Sequence, residues 1–143
     1  MAEPVIKFQS SKEHYTADAC VVWCFDDRFY KLLKAFGKQE NFKNIDLVKI
    51  AGGAKALGGE AGPDRDFVLG QLKASIRLHG TKRVVLMLHR DCGAYGGSKN
   101  FPDANAELEH HTARLKAAKD LLGKEVNVPV DMYFADFDGL YKI

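Results

Sequence analysis

The chain carries few of the features that would commit it to a membrane, a secretory route or a nucleic acid. Its longest apolar runs, such as Val84-Val85-Leu86-Met87-Leu88, fall far short of the ~20 residues that span a bilayer. The polar N-terminus has no signal-peptide h-region, so a cytoplasmic protein without a membrane partner is expected. Excess charge is also lacking: the net charge is +2 with lysines and arginines scattered, which leaves no stripe to track a phosphate backbone and argues against nucleic acid. Cysteine is scarce. Three in a chain with no secretory leader argue against a disulfide framework and give weight to metal binding or thiol chemistry. With no C-x-x-C pair among them, a redox dithiol is disfavoured.

What is present suits a globular protein. Hydrophobic residues make up 46% and charged residues 28% of 143, enough for one core and too apolar for a disordered chain. One domain, 1–143, is expected, with 1–18 as a polar, aperiodic arm in which Ser10-Ser11-Lys12-Glu13 is a candidate helix start. Ala19 to Phe25 is a short continuous apolar run, the pattern of a strand covered on both faces. From Arg28 the apolar Phe29, Leu32, Leu33 and Phe36 recur at helical spacing and Gly37 offers a stop. Ile45 to Ala51 is a second strand, running into a flexible glycine-rich loop, 52–62.

Pro63-Asp64 opens a second helix closed by Gly80. Val84 to Leu88 is a third buried strand with His89 at its carboxyl edge. A third helix starts near Asp103 or Asn105 and stops at Gly123, and Val126 to Phe134 alternates as a half-buried strand. Asp138-Gly139 signals a turn from which Leu140 to Ile143 can fold back. The alternation of strand and helix predicts an α/β fold: a mainly parallel sheet of four to five strands flanked by helices, with an antiparallel edge strand at the C-terminus. Ligands in such folds bind beyond the carboxyl ends of the strands, where Cys24–Arg28, the glycine loop and His89–Gly97 all fall.

His89-Arg90-Asp91-Cys92 sets an imidazole and a thiol three positions apart at a strand end, and Cys24 ends another strand. Two sulfurs and one imidazole suit tetrahedral zinc with a fourth position left for water or substrate. The bland alternative is a buried cysteine beside a hydrogen-bonded histidine. Next to Cys24, Asp26 and Arg28 are spaced to pair.

Cys24-x-Asp26-x-Arg28 followed by His89-x-x-Cys92-Gly93 resembles the two signatures of the β-carbonic anhydrases. Ala51-Gly52-Gly53 stands between them where that family has a short glycine-containing loop. The stretches Ile50 to Lys55 and His89 to Gly96 are most similar to a short, divergent branch described as putative carbonic anhydrases. The resemblance implies one zinc ion per chain on Cys24, His89 and Cys92, with carbon dioxide hydrated to bicarbonate by a zinc-bound hydroxide. Asp26 would orient that hydroxide and Arg28 would hold Asp26, which in part of the family becomes the fourth ligand of a resting state. Gly52, Gly53 and Gly93 would line the substrate pocket, and a homodimer or higher homo-oligomer is implied. Two alternatives share the site: a hydrolase of carbonyl sulfide or carbon disulfide, and a non-catalytic zinc-binding sensor or assembly protein. The family's upstream glutamine is missing, with Tyr15 at its offset and Gln9 the nearest glutamine.

The remaining polar residues read as structural. Cys20 lies four positions deeper on the first strand, a core thiol, and Asp27 is a candidate helix N-cap. The glycine loop matches neither common phosphate-binding pattern, and Lys55 within it is expected to be solvated. His79 falls at the far end of its helix. His111 shares a face with Leu108 and Leu115, which marks a packed core histidine, while His110, His111, Asp91 and Tyr95 remain candidates for assisting the site.

Overall fold

The computed structural model describes residues 2–143. Its centre is a five-stranded sheet of order β2-β1-β3-β4-β5, built from β1 (Ala19–Cys24), β2 (Ile45–Ile50), β3 (Val84–His89), β4 (Val130–Asp136) and β5 (Gly139–Lys142). The first four run parallel, and β5 pairs antiparallel with β4. β1 and β3 are buried along their whole length, which is why they read as unbroken apolar runs.

Strand alternation divides the core. Ala19, Val21, Trp23, Val85 and Met87 pack on Phe29 and on Phe36 of α1 (Tyr30–Gln39). Cys20, Val22, Val84, Leu86 and Leu88 face the opposite way, against Leu57 in the short α2 (Lys55–Gly58), Val68 and Leu72 of α3 (Pro63–His79), and Leu115, Ala118 and Leu122 of α4 (Ala104–Glu125). Each such side chain contributes roughly 1.5–3 kcal/mol through burial. The chain leaves β1 towards β2 on one side and returns to β3 on the other, so the carboxyl ends of β1 and β3 form the switch point of the sheet.

Several boundaries differ from the sequence expectation. α1 continues through Gly37 to Gln39, because Gly37 is a packing residue: a Cβ there would meet Ile45 Cδ1 at 3.2 Å. The left-handed residue after the helix is Asn41, at φ 56°. α4 runs past Gly123 to Glu125, and β4, expected from Val126, begins only at Val130, after Pro129 has supplied its carbonyl to Val84 N–H. The glycine loop is not a flexible tether. It contains α2, and Gly58 lies so close to the α4 backbone at Arg114 that a Cβ would be 2.4 Å from the Arg114 carbonyl oxygen. No helix forms at Ser10–Glu13; residues 2–18 contain no helix or strand.

At the amino ends of the strands Asp46 gathers three donors. Tyr15 Oη and Ser75 Oγ each lie 2.6 Å from a carboxylate oxygen, and His79 Nδ1 lies at 2.7 Å. Tyr15 is thereby remote from the carboxyl ends, and His79 ties α3 to β2. Among the described residues no helix is long and apolar enough to cross a membrane.

Candidate metal centre

Cys24 ends β1, His89 ends β3 and Cys92 follows three residues later in the turn beyond it, so the switch point brings the three together. Their donor atoms all lie within 4.8 Å of one another, and all three residues are buried. Main-chain N–H groups seat both sulfurs: those of Asp26 and Gly52 point at Cys24, and those of Ala94 and Tyr95 at Cys92. His89 is oriented from behind. Its Nδ1 lies 2.7 Å from the Arg90 carbonyl oxygen, which makes Nδ1 the protonated nitrogen and turns the Nε2 lone pair towards the sulfurs.

The chemistry of this set fits a metal ion. His89 Nε2 is buried without a hydrogen-bond partner, an arrangement that is costly unless the atom is a ligand. The sulfur–sulfur contact lowers the pKa of Cys24 and raises that of Cys92. One proton leaves the pair readily and the second is held, so a cation is what would take both sulfurs to thiolate. Burial pulls His89 down, but the neighbouring Cys24 thiolate and the Arg90 carbonyl outweigh it and its pKa rises.

Asp26 and Arg28 stand beside the cluster. Asp26 Oδ1 accepts the Arg28 main-chain N–H at 3.0 Å and so caps the 3-10 turn Asp27–Phe29; the cap is Asp26, not Asp27, because only Asp26 precedes the turn. The Arg28 guanidinium then folds back on the same carboxylate, with Nη2 2.7 Å from Oδ2 and Nε 3.0 Å from Oδ1. These hydrogen bonds hold Asp26 down to about 2, an anion at any physiological pH. Asp26 Oδ2 lies 3.9 Å from His89 Nε2. Arg28 is 47% exposed, so the pair adds little to stability and its effect is to aim the carboxylate.

The rest of the support was not visible in the motifs. Asp91, at φ 56°, reaches Arg28 through Oδ2, 3.0 Å from Nη1, and through its carbonyl, 3.0 Å from Nη2. Beneath it Glu107, 1% exposed, accepts the Asp91 N–H at 2.7 Å, the Ser98 hydroxyl at 2.8 Å and Arg90 Nη1 at 3.0 Å. Arg90 is held in turn by Asp136 at 2.8 Å. Burial raises the carboxyl of Glu107, but these donors outweigh it and its pKa falls. The available signal was a glutamate on the apolar stripe Glu107, His111, Leu115, Ala118, Leu122 of α4, all of them buried.

The expected pocket glycines separate. Gly52 is buried and gives its N–H to Cys24. Gly53, at φ 53°, faces inward, where a Cβ would stand 2.6 Å from the Met87 carbonyl oxygen and 3.1 Å from Cys24 N. Gly93 is exposed with open space at its Cβ position. Lys55 is not free in solvent, since its ammonium bonds the Ala94 carbonyl at 2.5 Å above the Tyr95 ring. Cys20 is fully buried, and burial pushes its thiol up to about 11. His111 is fully buried, whereas His110 is exposed. A cavity of about 620 Å³ lined by Ile50, Ala51, Lys55, Phe67 and Ala94 adjoins the cluster without including its donors.

The sequence model of a family described as "Putative carbonic anhydrase" matches residues 14–139. An uncharacterized protein of Rickettsia conorii is 28% identical, over 95% of this chain and 78% of that protein. Among solved structures, β-carbonic anhydrase isoform I of Trichomonas vaginalis superposes with a TM-score of 0.62 at 14% identity, covering 96% of this chain and 87% of that one. Carbonic anhydrase from Streptococcus mutans superposes with a TM-score of 0.55 at 18% identity, covering 94% and 87%. The fold is therefore that of the β-carbonic anhydrases.

Proposed function

The chain belongs to the family described as "Putative carbonic anhydrase", and from that premise we propose that it is a zinc enzyme hydrating carbon dioxide reversibly to bicarbonate. The observation that carries the reading is a buried Cys24–His89–Cys92 cluster with Asp26 and Arg28 paired beside it. Two thiolates and an imidazole favour zinc over harder ions. A zinc ion held there supplies hydroxide at neutral pH by lowering the pKa of water to about 7.

The chain's own residues do the aiming. Asp26, ionised and fixed by Arg28, has Oδ2 placed to accept a hydrogen bond from a solvent molecule beside His89 Nε2, which turns that molecule's lone pair towards a carbon. The Asp26 and Gly52 N–H groups keep Cys24 in place as charge builds and leaves. Gly93, bare at its Cβ position, leaves room next to Cys92 for a small linear substrate, and Gly52, whose Cβ position is closed by Lys55 and Ala94, lets the chain pass close beside it. Gly53 serves the pocket indirectly, by letting the chain cross β1 and β3 closely. We further propose a cytoplasmic homodimer or higher homo-oligomer, supported by a neighbour of the same fold described as tetrameric, from Sordaria macrospora.

The test pairs zinc analysis with stopped-flow carbon dioxide hydration, for the wild type and Asp26→Asn. One zinc per chain in both is expected, with a rate loss of at least about 100-fold in the variant, as for removal of one preorganised polar group. Full zinc loading without hydration above buffer would defeat the proposal and redirect attention to sulfur-containing analogues or to a site that does not turn over.

A further inference from the structure

Arg28 is shared between two carboxylates. A guanidinium offers five N–H donors; Nε and Nη2 engage Asp26, while Nη1 and Nη2 engage the Oδ2 and carbonyl oxygen of Asp91. Arg28 cannot turn away from Asp26 without also breaking two bonds to Asp91. Its side chain is half exposed, so beyond Asp26 itself and the Phe137 ring, 5.2 Å from its guanidinium carbon, Asp91 is what keeps it from swinging into water.

Asp91 is itself fixed at each of its polar atoms. Its N–H is held by the buried Glu107, Oδ1 accepts the Ser98 N–H at 2.8 Å, and Oδ2 and the carbonyl take Arg28. The Asp26 carboxylate meanwhile sits 3.9 Å from His89 Nε2, beside the metal donors. A dication at those donors pulls on Asp26, and the Arg28 fork opposes it.

We propose, resting on the zinc reading above, that Asp91 is a positioning residue: by clamping Arg28 it keeps Asp26 out of the fourth ligand position and leaves that position to solvent and substrate. In this chain the resting state with Asp26 on the metal is thereby disfavoured.

Asp91→Asn is the matched probe. Asn tolerates the left-handed backbone and can still accept the Ser98 N–H, but it loses the negative charge facing Arg28. Asp91→Gly also suits φ 56° and removes the carboxylate outright. The readout is the visible d–d spectrum of the chain loaded with Co²⁺ in place of zinc, for wild type, Asp91→Asn, Asp91→Gly, Asp26→Asn and the double variant Asp91→Asn/Asp26→Asn. Wild type and Asp26→Asn should share band positions. Both Asp91 variants should shift them, and the double variant should return to the Asp26→Asn spectrum.

An Asp91→Asn spectrum that overlays wild type would overturn the clamp. So would a shift that persists in the double variant, or failure of both Asp91 variants to hold one Co²⁺ per chain, since either would mean that Asp91 merely shapes the loop. Cobalt uptake by Cys92→Ser equal to that of wild type would instead sink the metal reading itself, a separate failure.

Discussion

Lowering the pH from 7 to 5 should cost the fold about 2 kcal/mol through His111 alone. The ring is fully buried on the inner face of α4, between Tyr95 at 4.7 Å, Phe101 at 5.7 Å and Phe134 at 5.7 Å. Neither ring nitrogen has a hydrogen-bond partner. Burial drives its pKa down to about 4, Glu107 pulling the other way from 3.8 Å while His110, His89 and Arg90 add to the depression. The unfolded chain takes up this proton near 6.5 and the folded chain only near 4. Between those values the unfolded state binds more protons, so stability is full above about 6.5 and falls as the pH drops towards 4. The burial of the lone tryptophan, Trp23, makes its fluorescence a suitable probe for urea unfolding at pH 7, 6 and 5, with a chelator present so that metal loss does not enter. His111→Phe, an aromatic that needs no proton, should flatten the pH slope by about 2 kcal/mol between pH 7 and 5. Equal slopes in the two proteins would refute the reasoning, and a wild type that gains stability towards pH 5 would mean that the Glu107 ion pair wins over burial.

Three further outcomes are expected. Gly53→Ala, which must place a Cβ 2.6 Å from the Met87 carbonyl at φ 53°, should lose at least about 2 kcal/mol in urea titration; a change within about 0.5 kcal/mol would contradict the close crossing. Glu107→Gln should cost about 2 kcal/mol by facing an amide NH2 towards the donors that Glu107 accepts and weaken zinc binding by loosening the Cys92 loop, measured by competition with a chromophoric chelator; unchanged affinity would show that the loop holds itself. Stripping the metal should lower the unfolding temperature, with recovery on adding Zn²⁺ but not Mg²⁺, and Cys24→Ser should abolish that difference.

Much of the fold was legible because its central strands are covered on both sides. β1 and β3 have no wet face, so their sequences show it directly, and the switch point between them followed from the element order. Glycine misled twice, for different physical reasons: Gly37 and Gly123 read as helix stops, yet the first makes room for Ile45 and the second simply sits on the exposed side of α4. The strand expected from Val126 was displaced because α4 closes with Val126 N–H on the Leu122 carbonyl. At the site, the cysteines, His89, Asp26 and Arg28 were marked by motif spacing. Asp91 as a second holder of Arg28, and Glu107 beneath it, were not, since those contacts join residues 63 and 16 positions apart and no local pattern encodes them.

Besides each other and His89, the sulfur atoms at the centre meet peptide N–H groups, those of Asp26 and Gly52 at Cys24 and those of Ala94 and Tyr95 at Cys92. A main-chain donor survives almost any replacement of the residue that bears it, proline excepted. The walls around the donors are therefore free to be rewritten, residue by residue, while their aim is preserved, and changes there tune entry and exit before they disturb ion capture.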